Sequence, residues 1–152
     1  TILIMTSNLG ARLIVERLEE ITPDNRDEIH SQMEIQLRDL LRKNLPPEFL
    51  NRIDEIIVFK PLLLSEVIEI VKIQFDYIRA RLREQGLDAK LTDNAAKYIA
   101  EQGYDPIFGA RPIKRVLEME VAQKIAAMIL TDELSEGDFA TVDVKDDEII
   151  IK

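Results

Sequence analysis

At 152 residues the chain is long enough for one ordinary domain or two small ones with a buried core. With 46% apolar and 32% charged residues it reads as folded rather than disordered, and a formal net charge of −9 argues against a general nucleic-acid binder, which carries a basic face. The absence of cysteine excludes disulfides and thiolate zinc sites, and no apolar run approaches the length needed to span a bilayer.

The opening TILIM is a continuous apolar run with β-branched residues, the pattern of a strand buried on both faces. It is too short for a signal-peptide core and has no basic lead-in. A chain that starts at Thr1 inside such a strand reads as an excised piece of a longer protein. The polar turn TSNLG follows, then a short helix from Ala11 to about Glu20, with Leu13, Ile14, Val15 and Leu18 as its apolar residues and ITPDN as its break. From Asp27 to Lys43, Ile29, Met33, Leu37, Leu40 and Leu41 recur at helical spacing and predict a longer amphipathic helix. His30, the one histidine, falls among polar residues of that helix and reads as a solvated side chain. NLPPEFLNR restarts the chain at paired prolines as a short helical turn, and EIIVF reads as a second short strand closed by Lys60-Pro61.

After Pro61 the character changes. Ser65 is placed to cap a helix whose stripe is Val67, Ile68, Ile70, Val71, Phe75, Ile78 and Leu82, ending at Gly86. LDAKL reads as a brief strand, and TDNAAKYIAEQGY as a helix capped by Thr92 or Asp93 and stopped by Gly103. A helix from Pro112 to about Leu130 comes next, and DFATVDVKDDEIIIK gives two strands around a tight turn at Asp146-Asp147. The expected fold class is therefore α/β followed by α+β. A piece of a sheet domain occupies residues 1–60 and a small compact domain residues 61–152.

Three polar side chains could carry chemistry. Asn8 comes directly after the first strand, and ligands of open parallel sheets lie outside the carboxyl ends of the strands. Its amide could hold a water or a phosphate oxygen; alternatively, TSN only caps the next helix. Arg52 follows a proline-initiated turn that can hold it outward, or it pairs with Glu48, Asp54 or Glu55. Arg111 stands between Ala110 and Pro112 at a helix entrance, where the positive end of the peptide dipoles repels a cation. A ligand for that charge is one reading, and a salt bridge with Glu118 or Asp105 is the other. Lys114 and Arg115 read as a solvated face. No acidic group has metal-ligand spacing, and no G-x-x-x-x-G-K-[ST] loop is present, so the primary grip on a nucleotide is absent from this chain.

Together these elements resemble the end of the second ATPase module of the Clp-family AAA+ unfoldases, most closely those of the ClpB disaggregase type. MTSNLG looks like the family's sensor-1 segment, PPEFLNRIDEIIVF like its arginine-finger segment and GYDPIFGARPIKR like its sensor-2 segment, in the family's order and over essentially the whole chain. The resemblance implies the C-terminal piece of a P-loop-type AAA+ large subdomain, followed by a small α+β lid domain. It implies that Asn8 is sensor 1, that Arg52 is a finger acting in trans, and that Arg111 is a sensor 2 binding ATP. It further implies ATP and Mg2+ in the complete module, a cytoplasmic hexameric ring of identical subunits, aggregated or unfolded polypeptide as substrate and a DnaK-type chaperone as collaborator, with neither nucleic acid nor membrane as partner. One departure is Pro46, where the family commonly has an arginine before PEF. Relatives that feed a peptidase carry a glycine-containing tripeptide between sensor 1 and the finger; this chain has no glycine between Gly10 and Pro46, which favours the disaggregase. An autonomous α+β interaction module without a nucleotide role is the remaining alternative.

Overall fold

Apolar stripes at helical spacing divide this chain between two separate cores. In the computed structural model, which describes residues 1–18, 20–105 and 108–152, the compact units are Thr1–Pro61 and Leu62–Lys152. The Leu18 side chain and Glu19 of the first predicted helix, and Pro106 and Ile107 of GYDPIFGARPIKR, lie outside the described residues. Among the described residues no helix is long and apolar enough to cross a membrane.

The first unit holds α1 (Ala11–Leu18), α2 (Arg26–Asn44) and the single turn α3 (Pro47–Leu50). Ile29, Met33 and Leu37 recur every four residues along α2 and form its buried face. Gly10 admits the chain to α1. Its φ of +85° is unfavourable for any other residue, and a Cβ there would collide with the Leu37 side chain.

The two strands expected from TILIM and EIIVF do not form. Neither segment has regular secondary structure, and Ile2 (89% exposed) and Phe59 (82%) stand in solvent. The physical reason is that a strand exists only through the ladder it makes with a neighbour, and the first unit contains no strand among its described residues. The backbone of 56–61 is instead held by α2. Arg38 Nη2 donates to the Ile56 carbonyl (3.3 Å), His30 Nε2 to Val58 (3.0 Å) and Arg26 Nη2 to Pro61 (2.8 Å). These donors stand four and eight residues apart, so their row winds slowly around the helix as it follows the returning segment. His30 is thus a half-buried brace, not the solvated side chain its neighbours suggested.

The second unit packs helices on a three-stranded sheet of order β1-β2-β3, with β1 (Asp88–Leu91) parallel to β2 (Phe139–Lys145) and β2 antiparallel to β3 (Glu148–Ile151). Asp146 and Asp147, both at positive φ, make the tight hairpin turn as expected. α4 (Leu64–Arg83) buries Val67, Val71, Phe75, Ile78 and Leu82. Its cap is not Ser65: the Glu66 carboxylate reaches back to the Leu63 N–H at 2.9 Å, so the helix begins two residues earlier than a Ser65 cap would place it. α5 (Asp93–Gly103) is capped by Thr92, whose Oγ1 accepts from the Ala95 N–H (3.2 Å) and donates to Asp143 on β2 (2.9 Å).

The last long helix is α6 (Ile113–Leu117), a π-helical turn (Glu118–Ala122) and α7 (Gln123–Leu130). Its buried residues Ile113, Leu117, Val121 and Ile125 are spaced every four. Such a stripe drifts around a helix of about 3.6 residues per turn. The wider i→i+5 turn takes up part of that drift, so all four side chains face the same core.

Candidate functional site

Asn8 lies at the entrance to α1. Ser7 Oγ accepts from the Leu9 N–H (3.1 Å), and the Asn8 carbonyl accepts from the Ala11 N–H (3.0 Å). The turn into the helix is therefore made by the Ser7 hydroxyl and the Asn8 backbone. Among the described residues the Asn8 side-chain amide has no hydrogen bond, and it is exposed.

Arg52 follows α3 directly. Pro46 precedes the first turn of that helix, and the Arg52 and Ile53 amides close it by donating to Phe49 and Leu50 (both 3.1 Å). Downstream lies the segment braced by α2. Arg52 is thus fixed at its backbone on both sides while its guanidinium is exposed, without the expected partner from Glu48, Asp54 or Glu55 among the described residues.

Arg111 belongs to the second unit. The loop before it is closed by paired backbone hydrogen bonds between Asp105 and Gly109 (3.0 and 2.6 Å), and the Asp105 carboxylate accepts from the Phe108 N–H (2.8 Å). Gly109, at φ +63°, turns the chain out of this loop. The Arg111 N–H donates to Phe108 (3.3 Å), and Pro112 leads into α6. The helix start is seated by Gly103: a Cβ on it would come within 2.8 Å of the Ile113 side chain and 3.0 Å of its Cα. Neither partner foreseen for Arg111 engages it among the described residues, and Glu118 pairs with Arg81 (3.5 Å).

Among the described residues every arginine side chain except those of Arg52, Arg111 and Arg115 makes a hydrogen bond or ion pair. Composition makes that exceptional, because the chain carries 29 acidic residues against 20 Lys and Arg. Unspent guanidinium donors suit an anionic ligand and phosphate above all. For a metal the donor set does not fit: no group of three or more His, Asp or Glu among the described residues is placed to hold one.

A family model described as the C-terminal, D2-small domain of ClpB protein matches residues 62–142, more than half of the chain. This chain belongs to the ClpB family. A second model, an AAA domain of the Cdc48 subfamily, matches residues 1–56. Relatives include a probable chaperone protein ClpB 1 of Chlorobaculum tepidum, 40% identical over all of this chain and 35% of its own length. A chaperone protein ClpB of Bacteroides thetaiotaomicron is 36% identical over all of this chain and 18% of its own. A mitochondrial chaperone protein ClpB3 of rice is 41% identical over 94% of this chain and 14% of its own. The chain thus spans only a minor share of the length of these ClpB relatives. It is the C-terminal part of the second ClpB AAA+ module, the end of the large subdomain followed by the small α+β domain.

Membership in the ClpB family bears out the fold class read from the sequence. Arg115, expected from the sequence to stand with Lys114 on a solvated face, is exposed and makes no side-chain hydrogen bond or ion pair among the described residues, a state it shares with Arg52 and Arg111. Nothing in the sequence signals this, because Glu118 stands three residues on as a ready partner and only the fold brings Arg81 to it.

Proposed function

We propose that the parent of this chain is an ATP-dependent ClpB-type disaggregase, and that the chain supplies three nucleotide-facing side chains to a hexameric ring of identical subunits. The observation that carries this reading is the unpaired, exposed state of Arg52 and Arg111 in an acidic chain of the ClpB family. Arg111 acts as sensor 2 and binds the terminal phosphate within its own subunit. Arg52 acts as the finger that meets the nucleotide of the neighbouring subunit. The Asn8 amide acts as sensor 1 and orients the attacking water. In the complete module ATP would supply the phosphoryl group, and magnesium would spread the charge that develops on the transferred oxygens. Such transfers need little covalent help from the protein, so positioning and charge neutralisation carry the catalysis. Because Arg111 stands on the small domain, its phosphate contact links nucleotide state to the orientation of that domain. The ring acts in the cytoplasm on aggregated or unfolded polypeptide, drawn through its pore in collaboration with a DnaK-type chaperone.

The test is ATP turnover, followed as phosphate release, in the full-length parent ring. Arg52→Ala is expected to lower it by about 10³-fold, the lower end of the range for arginine fingers. Arg111→Ala and Asn8→Ala are each expected to reduce it severely. Undiminished turnover in the Arg52 and Arg111 variants would overturn the reading and favour a module without a nucleotide role.

A further inference from the structure

Arg115 satisfies the same condition that singles out Arg52 and Arg111. It is exposed and has no side-chain hydrogen bond or ion pair among the described residues. With Arg111 it lines a groove of about 590 Å³, to which Arg81, Lys114, Glu118 and Met119 also contribute. The one carboxylate of that groove, Glu118, pairs with Arg81. Arg111, Lys114 and Arg115 therefore leave a surplus of positive charge in one concavity of a chain whose net charge is −9.

We infer that Arg115 is a second phosphate-contacting arginine, which binds the polyphosphate chain of the same nucleotide that Arg111 meets. The inference rests on the reading of Arg111 as the small domain's nucleotide contact and adds a second guanidinium to it. Two planar forks offer a polyphosphate more directed N–H donors than one, and Lys114 contributes charge without directional demand.

The experiment measures equilibrium binding of ATPγS, together with the mass of the assembly, in the full-length parent ring. Arg115→Ala is expected to weaken ATPγS binding about tenfold, the effect of losing one charge-assisted contact, while the mass of the ring stays unchanged. Arg115→Lys, which keeps the charge and loses the fork, is expected to fall between the two. Arg111→Ala serves as the reference. If it weakens ATPγS binding while Arg115→Ala binds as the unaltered protein does, the inference fails and the reading of Arg111 stands. If neither weakens binding, both fail. Unchanged ATPγS affinity with a smaller assembly would assign Arg115 to a carboxylate of a neighbouring subunit and overturn the inference.

Discussion

Asp88, the first residue of β1, receives two guanidinium forks from the end of α4. Arg79 donates to its two oxygens at 2.7 and 3.0 Å, Arg83 at 3.2 and 3.0 Å, and the Ala89 N–H adds a fifth bond at 2.8 Å. The Arg79 hydrogen bonds, then those of Arg83, hold the carboxyl far below the usual carboxylate range. A depressed value in the folded state means that the ionised form contributes stability at neutral pH. That contribution is complete above the unfolded value of about 3.9 and is lost as pH falls toward the folded one. Asp88→Asn is accordingly expected to lower Tm at pH 7, and the gap between variant and unaltered chain is expected to narrow from pH 5 to pH 2. Parallel thermal-denaturation curves across that range would remove Asp88 from this role. No motif in the sequence marks this cluster, because only the turn from α4 into β1 brings Asp88 back to Arg79 and Arg83. His30 shows the same limit. Its neighbours in sequence are polar, and only the return of the chain at Val58 gives its ring a carbonyl.

Helices were legible in the sequence where an apolar stripe sustains itself. Asp27–Lys43 was expected and Arg26–Asn44 is observed, and the stripe of α4 is buried where its spacing put it. The strands show the opposite. LDAKL and the terminal hairpin find partners within the second unit, whereas TILIM and EIIVF have equally good β composition and no ladder. Composition states a preference, and pairing decides it. Gly103 was read as a helix stop, and α5 does end there. The structure adds that the absence of a side chain at this point admits Ile113 and thereby sets the mouth of α6 beside Arg111. Gly103→Ala would force the start of α6 away from α5. It is expected to cost about 1–3 kcal/mol in chemical denaturation, as overpacked cores do. In the full-length ring it is also expected to reduce ATP turnover, although residue 103 touches no ligand. Full turnover in a destabilised variant would show that the placement of Arg111 tolerates movement of its helix.

On the scale of the whole chain, the residues proposed to meet nucleotide divide between the units: Asn8 and Arg52 in the first, Arg111 and Arg115 in the second. The roles proposed for Asn8, Arg52 and Arg111 come from a resemblance carried by three segments in order, whereas that proposed for Arg115 comes from the groove it lines. Without a phosphate loop in its sequence, the 152-residue chain is expected to give no ATP turnover above background when purified by itself. Phosphate release proportional to protein concentration would contradict that. The hold of α2 on residues 56–61 has a consequence for assembly. Since guanidinium and imidazole groups already occupy the acceptors of Ile56 and Val58, any β-partner recruited there must arrive from the flank facing away from the helix. The segment is a border: a sheet can begin on it but cannot run through it, and stray copies are denied the helix-side row unless Arg38 and His30 are first stripped off.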